Sequence, residues 1–102
     1  MVMKLGILTS GNLGMDTLIK IIHRFNLVFV LTDRSSHGIL SLCKKNKIPC
    51  FNGNPRNGLG YNFIKNIKVD VIISINYIFL IKKDIIEHSK LLTFNIHGSL
   101  LP

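Results

Sequence analysis

Val69-Asp70-Val71-Ile72-Ile73-Ser74-Ile75 is the most hydrophobic β-branched run in the chain. A strand with one wet face alternates apolar and polar residues, whereas this run is apolar almost throughout, as suits a central parallel strand covered on both faces. Upstream, the apolar run over 4–9 ends in Ser10-Gly11-Asn12, the pattern of a buried strand entering a glycine-containing turn. Leu18, Ile19, Ile21, Ile22 and Phe25 then recur at helical spacing with Lys20, His23 and Arg24 between them, which predicts a helix over 13–25 and a second strand over 27–31. Asp33, Ser35 and Ser36 offer capping oxygens ahead of Ile39, Leu40, Leu42 and Cys43, and Lys44, Lys45 and Lys47 complement the end of that second helix. A short strand over 48–51, an exposed loop through Asn52-Gly53-Asn54-Pro55-Arg56-Asn57-Gly58 and a brief helix over 61–67 lead into the central run. Beyond it, a helical turn over 82–88 precedes a fifth strand over 91–96.

Strands alternating with helices imply right-handed crossovers. The expected fold class is therefore α/β: a Rossmann-like three-layer domain with a mostly parallel sheet of about five strands flanked by helices, incomplete at the C-terminus. Ligands of such sheets bind beyond the carboxyl ends of the strands, where the strand order reverses. Ser10-Gly11-Asn12, Asn76-Tyr77 and the segment from Asn95 to Ser99 all fall at such ends.

With 102 residues, 47% hydrophobic and 18% charged, the chain has the composition of one small globular domain, not of a disordered segment. Thirteen basic residues against five acidic give +8. The lysines are scattered, alanine is absent and isoleucine and asparagine abound, so compositional bias accounts for the charge and no nucleic-acid partner follows from it. The start Met1-Val2-Met3-Lys4 runs straight into a strand-like segment and so is not expected to be a leader peptide, and the apolar stretch over 71–81 falls short of the roughly 20 residues a membrane helix needs. A soluble, cytoplasmic protein is expected, with Cys43 and Cys50 reduced and no metal-ligand set.

Asn95 and His97 stand one residue apart in extended chain, which places both on one face. A carboxamide supplies fixed donors and an imidazole a donor or a proton carrier, a pair suited to a developing oxyanion and hence to acyl transfer. Taken alone, such a pair is more often a turn or cap feature. Its surroundings add weight: Phe94-Asn95-Ile96-His97-Gly98-Ser99-Leu100-Leu101-Pro102 closely resembles the signature of the formyltransferases that use 10-formyltetrahydrofolate, a family of transfer-RNA, purine-precursor and sugar enzymes. Val69-Asp70-Val71-Ile72-Ile73-Ser74 resembles that family's central strand, and Tyr77-Ile78-Phe79-Leu80-Ile81 its loop whose backbone holds the pterin.

The resemblance implies that residues 1–102 form the N-terminal part of a formyltransferase catalytic domain, with 10-formyltetrahydrofolate as cosubstrate. Asn95 and His97 would be catalytic; Tyr77, Ile78, Phe79, Leu80, Ile81, Ser99, Leu100, Leu101 and Pro102 would border the folate; Gly11 and Asn12 would touch the acceptor. The family's catalytic aspartate lies beyond the SLLP segment, and neither Asp70 nor Asp84 matches it, so these residues alone are expected to be inactive, with an exposed sheet edge. In the purine-precursor enzymes a phosphate-binding turn carries glycine and asparagine where Leu13 and Met15 stand here, and the short Thr32-Asp33-Arg34-Ser35-Ser36 lacks the basic loop of the transfer-RNA enzymes. A nucleotide-linked amino sugar is therefore the expected acceptor, with methionyl-tRNA or phosphoribosylglycinamide as alternatives and nucleic acid a partner only under the first. The full-length form is expected to allow a homodimer. Two readings from other classes stand beside these. One is a non-catalytic remnant; the other is a nucleotide-binding module, which Gly11 and Gly14 support poorly because they do not complete G-x-G-x-x-G, and Asp33 does not by itself supply the acid required after strand two.

Overall fold

The computed structural model describes residues 2–96. Its elements run β1 (Lys4–Thr9), α1 (Gly11–Ile21), β2 (Asn26–Thr32), α2 (His37–Lys45), β3 (Cys50–Asn52), α3 (Leu59–Ile64), β4 (Val71–Ile75), α4 (Lys83–Ile86) and β5 (Leu92–Ile96). The five strands form one sheet in the order β3-β2-β1-β4-β5, every pair parallel. Pairing grows outward from β1 to β2 and β3, then crosses back to β4 and β5, so the switch in direction falls between β1 and β4. The Rossmann-like expectation holds.

Two apolar layers sandwich the sheet. Leu18 of α1 and Ile39 and Cys43 of α2 pack on Leu5, Ile7, Val30 and Val71 on one face. Ile64 of α3 and Ile85 of α4 pack on Leu8, Phe29, Leu31 and Ile72 on the other. Alternation along each strand sends successive residues to opposite layers, which is why β1 and β4 are apolar on both sides. Gly6 makes this possible locally, because a Cβ there would lie 2.6 Å from Phe29 Cε1 and 2.8 Å from its Cε2. The Phe29 ring fills that space and is fully buried, contributing about 1.5–3 kcal/mol. Beside α1 the sheet remains open as an apolar groove of about 440 Å³ bounded by Leu5, Ile7, Ile21, Val71, Ile73 and Phe94.

Element ends differ from the sequence reading for identifiable reasons. The first helix begins at Gly11, earlier than the expected residue 13, because Ser10 is still extended (φ −143°) and Gly11 turns the chain at φ +72°. It stops at Ile21, where the last turn tightens: the Arg24 N–H reaches the Ile21 carbonyl three residues back, and Phe25 beyond it is exposed. The central strand begins at Val71, not Val69: Asp70 turns its carboxylate to the Lys4 N–H at 2.8 Å, and the carbonyls of Val69 and Asp70 accept from Lys90 and Leu91. Strand three covers Cys50–Asn52 and helix three Leu59–Ile64, each shifted from its expected span by one to three residues. Cys43 and Cys50 are free thiols. Among the described residues no helix is long and apolar enough to cross a membrane.

Candidate active site

At the carboxyl ends of β1 and β4 the chain is stitched across the switch point. Thr9 Oγ1 donates to the Ile75 carbonyl at 2.6 Å, and Asn76 Nδ2 donates to the Ser10 carbonyl at 3.2 Å. Asn76 adopts φ +54°, which turns the strand end sharply into the loop over 77–81.

On the β5 side of this loop lies a cavity of about 270 Å³, just under the roughly 300–1,000 Å³ typical of small-molecule pockets. Asn95 forms part of its wall, with Tyr77, Phe79, Leu80 and Ile81 of the loop and Ile86 of α4. Asn95 pairs in register with Ser74 and so shares its face, the one turned to α3 and α4. Two residues earlier, Thr93 lies on that same face and donates its hydroxyl to the Ile86 carbonyl at 2.8 Å, which fixes β5 against α4. Asn95 is exposed, so its amide is open to a ligand in the cavity. Tyr77 and Phe79 meet edge to face at 5.5 Å. Among the described residues the backbone groups over 77–81 make no backbone–backbone hydrogen bonds. Open donors and acceptors above aromatic walls fit a flat heterocycle recognised through main-chain polar groups. Burial pushes the Tyr77 phenol above its ordinary range, and the negative charge of Asp33 adds to that.

Ile78 departs from its four loop neighbours. It lines a second cavity of about 200 Å³ on the β2 side, with Ser10, Gly11, Asp33, Ser35, Ser36 and Asn76. Asn12, expected beside Gly11 as an acceptor contact, is exposed on the first turn of α1 and outside that wall. From the sequence, Ser35 and Ser36 carried only a capping role, and Asp33 a capping role beside the doubtful one of an acid after strand two. Ser36 does stand at the N-cap of α2, but its side chain makes no cap bond. Its hydroxyl instead accepts from the Gly11 N–H at 3.0 Å and donates to Asp33 Oδ1, tying β2 to the start of α1. Burial alone would raise the Asp33 carboxyl, but the hydroxyls of Ser35, Ser36 and Ser10 and the Ser35 N–H outweigh it and hold the group down at about 2. Ser10 adds to that field without meeting hydrogen-bond geometry. Asp33 directly follows Thr32, the last residue of β2, so an acid does stand at the end of strand two. The signal for it was the residue itself; what the sequence lacked was the sheet order that brings it beside Ser10.

Three buried side-chain oxygens lack a partner among the described residues: Ser10 Oγ, Thr32 Oγ1 and Tyr77 Oη. All belong to strand carboxyl ends, and unpaired buried polar atoms are rare enough to mark a place where something else binds. A larger cavity of about 600 Å³ opens at the opposite ends of the strands among Lys4, Lys65, Lys68 and Lys90. Its lining also includes Asp70, whose carboxylate accepts from the Lys4 N–H, and His88, whose Nε2 is within hydrogen-bond distance (2.8 Å) of the Ile67 carbonyl. His97, Ser99, Leu100, Leu101 and Pro102 lie outside the described residues.

Together these features define a Rossmann-like domain with a crevice at its topological switch point, divided in two by the loop after β4. No family model matches the chain. In an alignment 101 positions long that covers 90% of the chain, it is 33% identical to the bifunctional polymyxin resistance protein ArnA of Wigglesworthia glossinidia brevipalpis. It is 44% identical over 41 residues, 40% of its length, to the methionyl-tRNA formyltransferase of Blochmanniella floridana. The whole chain matches glycinamide ribonucleotide transformylase 1 from Geobacillus kaustophilus with a TM-score of 0.72 at 20% identity, a likeness of fold. In sequence and in fold the chain is similar to formyltransferases. It spans 15% and 13% of the two curated relatives and 61% of the solved chain.

Proposed function

We propose that the whole protein transfers a formyl group from 10-formyltetrahydrofolate to a primary amine, with a nucleotide-linked amino sugar as acceptor. The observation that carries this reading is the position of Asn95: an open carboxamide at the tip of β5, in the wall of a cavity whose loop makes no backbone–backbone hydrogen bonds among the described residues. That loop would hold the pterin end of the donor, and the Asn95 amide would donate to the formyl oxygen as it gains negative charge. His97 would share that load and carry the proton, and an acid elsewhere in the protein would orient it. The site lies in a reducing cytoplasm under this reading, and a homodimer of the whole protein is compatible with it.

The sugar acceptor is favoured by the wording of the segment over 71–102 and by Leu13 and Met15 in the turn where phosphate-binding relatives carry glycine and asparagine. A transfer-RNA acceptor is the second reading, supported by the 41-residue match to a methionyl-tRNA formyltransferase. Incubating the full-length protein with 10-formyltetrahydrofolate and, in parallel, a nucleotide-linked amino sugar, methionyl-tRNA and phosphoribosylglycinamide separates them. Formylated sugar nucleotide, seen by mass spectrometry, is the expected product. Formylation of either other amine in its place overturns the acceptor, and no formylated product at all overturns the activity.

A further inference from the structure

The cavity on the β2 side contains chemistry that formyl transfer at Asn95 does not use. Asp33 is 5% exposed, with Oδ2 accepting from the Ser35 N–H at 3.0 Å and from the Ser35 hydroxyl. Oδ1 accepts only from Ser36 among the described residues, which leaves it a free lone pair. Ser10, 2% exposed and in the same wall, has a hydroxyl with no partner among the described residues. Asn76 commits its N–H to the Ser10 carbonyl and keeps its amide oxygen as an acceptor. Ile78, 64% exposed, supplies an apolar wall.

We propose that this cavity binds a vicinal diol of a sugar, Asp33 accepting from one hydroxyl while Ser10 donates to its neighbour. The inference deepens the proposed formyl transfer and rests on it only in assigning the sugar to the acceptor. A phosphate is disfavoured on two counts. The carboxylate already places a negative charge at the start of α1, and the Gly11 N–H that would meet an anion is bonded to Ser36. In sheets of this strand order, an acid after strand two is well placed for ribose hydroxyls. A carboxylate held ionised is the stronger acceptor for such a bond.

The test is an amide NMR titration of the full chain with methyl β-D-ribofuranoside, methyl α-D-glucopyranoside, methyl 2-deoxyribofuranoside and inorganic phosphate. Saturable shifts at Gly11, Ser35, Ser36 and Asn76 are expected with a diol glycoside, and the one acting at lower concentration identifies the sugar. The 2-deoxy compound should bind about five-fold or more weakly, the value of one neutral hydrogen bond. Ser10→Ala should weaken diol binding by about the same factor while leaving the melting temperature unchanged or higher, which separates recognition from folding. Asp33→Asn should abolish the diol shifts and admit phosphate. Absence of diol shifts in the wild type, equal binding of the 2-deoxy compound, tighter binding of phosphate, or unchanged affinity in Ser10→Ala overturns the proposal. No formyl donor is present in the titration, so its failure leaves the Asn95 chemistry standing, and inactivity in formyl transfer leaves diol binding standing.

Discussion

Gly14→Ala distinguishes a generic expectation from one specific to this structure. Gly14 is a buried residue of α1, where alanine in a helix interior ordinarily gains about 1 kcal/mol over glycine. A Cβ at this position, however, would fall on Thr9 Oγ1 and lie 3.2 Å from both Thr9 Cβ and Cγ2. Thr9 is fully buried at the end of β1, and its hydroxyl donates to the Ile75 carbonyl, so it has no room to yield without releasing β4. Overpacking costs about 1–3 kcal/mol, and losing the bond adds about 1. Against the gain in helix propensity, the net loss is about 1–3 kcal/mol, a fall of roughly 5–20 °C in melting temperature for a domain of this size. Thermal and urea unfolding of the two proteins, followed by circular dichroism, would measure it. A variant as stable as the wild type, or more stable, would refute the claim that α1 is seated on β1 through Gly14.

Two further outcomes follow from the site. Asp33 titrates at about 2 in the folded chain against an ordinary 3.8, so its stabilising contribution is complete above about pH 4 and is lost as pH falls toward 2. The difference in urea midpoint between wild type and Asp33→Asn should therefore shrink across that window, and a pH-independent difference would contradict the assignment. The buried Tyr77 hydroxyl has no partner among the described residues, so Tyr77→Phe should leave stability unchanged or raise it by up to about 1 kcal/mol. A loss of more than about 1 kcal/mol would show that the hydroxyl is bonded after all.

The apolar runs of β1 and β4 were readable because a strand buried on both faces has little freedom in composition, and the helical spacing of Leu18 and its neighbours was equally direct. Ends were less so. Phe25 continues the helical period, yet the helix ends at Ile21 in a tightened turn and leaves Phe25 beyond it, and Asp70 sits within a β-branched run but spends its side chain on Lys4. Of the candidate site, Ser10, Gly11, Asn76, the loop after it and Asn95 were legible as strand ends. Ser35 and Ser36 were not, because a serine ahead of a helix reads as a cap, and the lateral bond of Ser36 to Gly11 exists only once β2 lies beside β1; Asp33 was visible after strand two but not its place beside Ser10. The division of the loop, with Ile78 facing one cavity and its neighbours the other, depends on the positive φ of Asn76 and has no sequence period to announce it.

Formyl transfer at this site depends most on Asn95 polarising the formyl group. Its direct test is the single-turnover rate of formyl transfer in the full-length protein and its Asn95→Ala variant, with circular dichroism confirming the fold. Loss of one oxyanion donor should slow the step by about 10²–10³-fold. A variant that transfers the formyl group at the wild-type rate would contradict the account.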